Sequence, residues 1–260
     1  MRPRLLVVQP DPEAGLDRFE TWLGECGVEC VVVLPFAGEP VPSTLDTDGL
    51  LVLGGAMSAS DDDQHPWLID LRSLIRDAAH SGRPVLGICL GGQLLAQALG
   101  GEVGPGDRGT EAGAIDLTWR QDEVGDDALF ADLPNEFLTG AFHKDMISRL
   151  PEGAVPLARS ELYEYQAFRC GARAWGVQFH PELSSEQYAV WVDTYGDPDD
   201  RDGSRSALAD FELRDEQVEQ SNRILAERFS RVLWEYTDPR AAAPESPAAR
   251  PATRRHSGSR

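Results

Sequence analysis

Between Arg83 and Gly101 the chain packs a strand, a sharp turn and a helix into one short segment, and few architectures accommodate that. Arg83-Pro84-Val85-Leu86-Gly87-Ile88 reads as a short buried strand. Beyond it, Leu90, Leu94, Leu95, Ala98 and Leu99 recur at helical spacing until Gly100-Gly101 stops the run. Cys89 therefore sits on a strand-to-helix turn, with glycines at 87, 91 and 92. That is the geometry of a nucleophile elbow with sulfur in place of a serine oxygen. Such a turn pushes the side chain out of the sheet, and the helix N-terminus behind it stabilises a thiolate. It also leaves the backbone N–H of Leu90 free to meet a developing oxyanion. A buried core cysteine is the plain alternative, because free Cys packs as a small hydrophobe.

A second segment bears on that choice. Trp175-Gly176-Val177-Gln178-Phe179-His180-Pro181-Glu182 reads as a strand ending in His-Pro-Glu. A thiol nucleophile needs a base, and the base needs a group to orient it. Pro181 biases His180 towards extended geometry, where residues two apart point to the same side. Glu182 can then approach the His180 ring with Pro181 turned away.

Elsewhere the chain alternates strands and helices. Strands are expected near 4–9, 31–34 and 50–53. A helix follows the first strand with Leu16, Phe19 and Leu23 on its apolar face and Glu20 and Trp22 at the margin. Another carries Trp67, Leu68, Leu71, Leu74, Ile75 and Ala78 on one face, with Asp61-Asp62-Asp63 and Pro66 as its N-terminal cap. Alternation of this kind predicts an α/β fold: a doubly wound, mostly parallel sheet with helices on both faces and the site at the carboxyl ends of the strands. Shorter, strand-like segments from about 114 to 170 suggest a small antiparallel extension. Residues 193–206 read as a polar loop, after which a helix resumes with Phe211, Val218, Leu225, Phe229, Val232 and Leu233. One domain is expected over 1–237. The Ala-, Pro-, Arg- and Ser-rich stretch 238–260 reads as a disordered tail, because it cannot bury much apolar surface.

The formal net charge of −20 over 260 residues argues against nucleic-acid binding, and no apolar run approaches membrane-spanning length. Lys144 is the only lysine. Cys26, Cys30, Cys89 and Cys170 form no CxxC pair, so neither a zinc site nor a disulfide framework is expected. Reduced thiols and the lack of a signal-peptide pattern point to the cytoplasm.

The segments 87–93 and 176–182 resemble the two signature segments of class I (triad-type) glutamine amidotransferase domains. Leu50-Leu51-Val52-Leu53-Gly54-Gly55-Ala56 resembles the strand and glycine loop that complete that family's oxyanion hole. The likeness runs from about residue 4 to 192, as a stand-alone chain similar to the glutaminase domain of GMP synthase. It implies a flavodoxin-like fold, Cys89 as nucleophile, His180 as base and Glu182 as its orienter. It further implies oxyanion N–H groups at Gly55 and Leu90, and a contact between Gln93 and the substrate glutamine. The family loop usually has proline after its two glycines, where this chain has Ala56. Ala141-Phe142-His143-Lys144-Asp145 is similar to the family's His-x-Asp loop; His143 is either a substrate-loop contact or a structural histidine. No cofactor and no metal are implied. The chemistry implied is hydrolysis of the glutamine amide through a γ-glutamyl thioester, with ammonia passing to a synthetase. No phosphate-binding glycine loop is found, so three readings stay open. The chain is a glutaminase paired with a separate synthetase, or a self-sufficient enzyme acting on a small γ-glutamyl compound, or a non-catalytic binding module.

Overall fold

The computed structural model describes residues 1–238. The expected tail therefore lies, beyond Asp238, outside the described residues. The chain begins with β1 (Arg4–Val8), α1 (Arg18–Glu25), β2 (Glu29–Val33) and β3 (Gly49–Val52). It continues through α2 (Trp67–His80), β4 (Val85–Ile88), α3 (Leu90–Ala98), β5 (Glu102–Pro105), β6 (Glu111–Trp119) and the short α4 (Gln121–Val124). Then come β7 (Phe137–His143), β8 (Asp145–Arg149), β9 (Val155–Arg159), β10 (Ala167–Cys170) and β11 (Ala174–Val177), followed by α5 (Ser185–Tyr195) and α6 (Arg201–Thr237).

Among the described residues, nine strands form one sheet in the order β2-β1-β3-β4-β11-β10-β9-β6-β7, and β5 pairs with β8 apart from it. From β2 to β11 the neighbours are parallel; from β11 onward they are antiparallel. β1, β3, β4 and β11 are nearly continuous hydrophobic runs because both faces are covered, while the edge strand β2 stays partly exposed. Alternation divides their side chains. Leu5, Val7, Leu51, Leu86 and Ile88 pack with Phe19 and Leu23 of α1 and Leu225, Phe229 and Leu233 of α6. Leu6, Val8, Leu50, Val52 and Val85 face Leu71, Leu74 and Ile75 of α2 and Leu94 and Leu95 of α3. A third cluster joins Leu138 and Leu183 to Tyr188, Trp191, Phe211 and Val218.

Three expectations are corrected. Residues 193–206 are not a loop: α5 runs through Tyr195 and α6 starts at Arg201, leaving only 196–200 between them. The polar residues there begin a helix, since Asp200 accepts the Gly203 N–H as a cap. The aspartates before α2 do not cap it. Asp61 accepts the Ser58 N–H at 2.8 Å, and Asp62 pairs with Arg72 at 2.6 Å. Trp22 is buried in the core rather than marginal. No helix among the described residues is long and apolar enough to cross a membrane.

Candidate active site

The parallel strands end on one edge of the sheet, and the turns after four of them converge there. Asp11 follows β1, Gly54 and Gly55 follow β3, Cys89 follows β4 and His180 follows β11. They line, or adjoin, a cleft of about 460 Å³ that also takes in Gln93, Phe142, His143, Lys144, Asp145, Trp191 and Tyr195. This is the crevice outside the carboxyl ends where open α/β sheets bind ligands.

The elbow has the form expected from the glycines. Cys89 holds φ 50° and ψ −105°, a strained backbone for a non-glycine residue. Its N–H donates to the Val177 carbonyl at 2.8 Å, tying the turn to the end of β11. A Cβ at Gly91 would lie 2.1 Å from the Val52 carbonyl oxygen, and one at Gly87 would lie 2.4 Å from the Gly91 carbonyl. Only glycine permits these backbones to approach so closely. Leu90 is the first residue of α3, so its N–H is among those a helix leaves without an internal partner. A Cβ at Gly55 would come within 3.0 Å of the Leu90 side chain, so the glycine loop packs against the start of α3.

His180 and Glu182 are each 2% exposed, and His180 Nδ1 donates to Glu182 Oε1 at 2.7 Å. That leaves Nε2 for the Cys89 thiol, which stands beside the ring across Gly54 and acts on its charge. Burial alone would favour a neutral ring. The Glu182 carboxylate and the Cys89 sulfur together outweigh it and push the His180 pKa up to about 10. The His180 N–H bonds the Gly140 carbonyl at 2.8 Å, and the His180 and Trp191 rings meet edge-to-face with centroids 4.6 Å apart. Glu182 Oε2 is buried with no hydrogen-bond partner.

A buried polar chain leads away from the sulfur. Gln178 Nε2 donates to Cys89 Sγ at 3.6 Å, and Gln178 Oε1 accepts Gln93 Nε2 at 3.2 Å. Gln93 Nε2 also donates to the Asp145 carbonyl at 3.1 Å. Both Gln93 amide hydrogens are thereby engaged, which leaves its side-chain oxygen as an acceptor. The same Asp145 carbonyl accepts His143 Nδ1 at 3.0 Å, while His143 Nε2 meets Glu111 Oε2 at 3.0 Å. His143 thus lines the cleft and is held from behind by a buried carboxylate.

Every site residue expected from the sequence lies at or beside this cleft. Sequence reasoning passed over Asp11, Glu111, Gln178, Trp191 and Tyr195. Gln178 stands inside a segment read only for its histidine and glutamate. Tyr188, Trp191 and Tyr195 on α5 show helical spacing, which marks a buried face without naming what it faces. Cys26, Cys30 and Cys170 are free and half-buried, and no group of metal-ligating side chains occurs among the described residues. Burial pushes the Cys30 thiol up to about 11 and Cys170 to about 12, so neither is poised as a nucleophile.

Residues 20–191 match a family model described as glutamine amidotransferase class-I. The chain is 36% identical over 152 residues to a glutamine-hydrolysing GMP synthase subunit of Archaeoglobus fulgidus, spanning 58% of this chain and 75% of that protein. It is 33% identical over 171 residues to gamma-glutamyl peptidase 5 of Arabidopsis thaliana, covering 65% and 67% of the two chains. The crystal structure of a glutamine amidotransferase from Thermotoga maritima superposes with a TM-score of 0.77 at 27% identity, over 88% of this chain and 99% of that one.

Proposed function

The chain belongs to the class I glutamine amidotransferase family, and we propose that it hydrolyses a γ-glutamyl amide through Cys89, His180 and Glu182. The observation that carries this is the buried Glu182–His180 hydrogen bond set beside the strained elbow cysteine. The Cys89 thiolate attacks the side-chain carbonyl carbon, forming a C–S bond. The N–H groups of Gly55 and Leu90 receive the negative charge that gathers on oxygen. His180, charged at neutral pH, gives its Nε2 proton to the departing nitrogen as the C–N bond breaks, leaving a γ-glutamyl thioester. The neutral ring then takes a proton from water as the water oxygen bonds to the thioester carbonyl carbon; the C–S bond breaks, the Cys89 thiolate is restored and glutamate leaves. Glu182 fixes the tautomer and stabilises the imidazolium. Gln93 Oε1 and the His143–Asp145 segment receive the amino-acid end of the substrate.

With glutamine as substrate the products are glutamate and ammonia. A relative named as one component of a glutamine-hydrolysing synthase supports delivery of that ammonia to a separate synthetase chain. A second reading has its own observation. A cleft of about 460 Å³ lies in the range that holds drug-sized ligands, and it leaves room beyond the glutamyl group for an amine or amino acid. A relative named gamma-glutamyl peptidase supports a self-sufficient hydrolase of that kind. Steady-state kinetics on glutamine and on γ-glutamyl dipeptides, with and without candidate synthetases, separates the two. A dipeptide turned over by the isolated chain at an ordinary rate, about 1–10³ s⁻¹, supports the hydrolase. A large rise in glutamine hydrolysis on adding one synthetase supports the two-chain enzyme. No release of glutamate from any of them contradicts both.

A further inference from the structure

We propose that Asp11 and Tyr195 are positioning residues that lock the Gly55–Ala56 loop, so that this chain holds its oxyanion loop ready with its own side chains. The inference rests on the reading of Gly55 as an oxyanion donor. Asp11, buried in the turn after β1, divides its carboxylate between two elements. Oδ1 accepts the Tyr195 hydroxyl at 2.5 Å and the Glu13 N–H at 2.9 Å; Oδ2 accepts the Ala56 N–H at 3.2 Å. Tyr195 is the last residue of α5, the helix whose Trp191 packs on His180. The same helix grips the turn twice more, since Trp191 Nε1 and Gln187 Nε2 donate to the Glu13 carbonyl at 2.7 and 2.8 Å. Burial, and then Asp11 itself, raise the Tyr195 pKa, so its hydroxyl stays a donor.

The N–H that Asp11 holds exists only because residue 56 is not proline. A proline there stiffens a loop by fixing its own φ. Ala56 has no ring, and Gly55 before it has no Cβ to limit rotation. Anchoring the Ala56 N–H limits swinging of the Gly55–Ala56 peptide plane, and through Gly55 it restrains the adjoining plane that carries the Gly55 N–H. An oxyanion donor is effective when it is fixed before charge develops.

The test is a set of substitutions assayed on glutamine and on γ-glutamyl-p-nitroanilide. Tyr195→Phe and Asp11→Asn are expected to lower kcat about tenfold, less than outright loss of an oxyanion donor, with KM within about twofold. In an Ala56→Pro background the ring replaces the anchored N–H, and the same two changes should alter kcat by less than about twofold. An Ala56→Gly background keeps the N–H but frees the backbone, so Tyr195→Phe should cost more there than in the wild-type chain; this arm stands even if the proline variant fails to fold. Equal losses in every background, or unchanged kcat in Tyr195→Phe and Asp11→Asn, overturn the inference while leaving the hydrolase intact. A wild-type chain that releases neither glutamate nor p-nitroaniline, with or without a candidate synthetase, overturns the underlying reading, and the inference falls with it.

Discussion

His180 is the residue whose state decides most. Its pKa stands at about 10 in the fold against about 6.5 in an unfolded chain, so the imidazolium persists through neutral pH. By linkage, its contribution to stability is complete below about pH 6.5 and disappears as pH rises towards 10. Glu182→Gln should lower this pKa most and Cys89→Ala less, in the order of their charge contributions. A ring-proton titration by NMR checks both; a pKa near 6.5 in the wild-type chain contradicts the charged resting state. In activity, His180→Ala should remove nearly all turnover, because base and proton donor vanish together. Glu182→Gln should cost less, since it disturbs only orientation and charge. Near-wild-type rates in both variants contradict the assignment. Cys89, His180 and Glu182 were legible because each pattern is local: a turn needs its glycines within a few positions, and His-Pro-Glu needs three residues. Tyr195 and Asp11 were not, because they meet across 184 positions of chain. A tyrosine near a helix end and an aspartate in a turn carry no mark of each other.

Among the elements, the strand-turn-helix of β4 and α3 bears the tightest constraint. Gly91→Ala puts a Cβ 2.1 Å from the Val52 carbonyl oxygen, and backbone on both sides leaves little room to yield. The expected cost is about 3 kcal/mol or more, read as a lower urea midpoint. Gly24→Ala in α1 meets nothing within 4 Å and should stabilise the chain by up to about 1 kcal/mol. A smaller loss for Gly91→Ala than for an ordinary surface change would contradict that packing. Both positions could be found in sequence, but only the structure separates a glycine that must be glycine from one that need not be. The start of α6 shows the opposite difficulty. Arg201–Ser206 carries no apolar stripe, so periodicity is silent, and the helix is set by the Asp200 cap and by tertiary packing further along. There Asn222, fully buried, bonds the Leu138 and Val218 carbonyls and accepts the Thr139 hydroxyl, fastening α6 to β7.

At the scale of the molecule, the parallel half of the sheet was readable because buried parallel strands are apolar throughout and alternate with helices. The order β11-β10-β9-β6-β7 was not, since antiparallel pairing between distant segments depends on register and contacts that no local pattern encodes. The sheet's function is nonetheless simple: it aligns four carboxyl-terminal turns so that a thiol, an imidazole, a carboxylate and a glycine loop share one cleft. The central claim is that Cys89 is the nucleophile of that cleft. Its most direct test is reaction of the chain with a diazoketone analogue of glutamine, followed by peptide mass mapping and assay of Cys89→Ala for glutamate release. Label on Cys89 alone, abolished by prior glutamine, together with an inactive and folded Cys89→Ala chain, is the result expected. Label on Cys26, Cys30 or Cys170, with glutamate still released by Cys89→Ala, would contradict it.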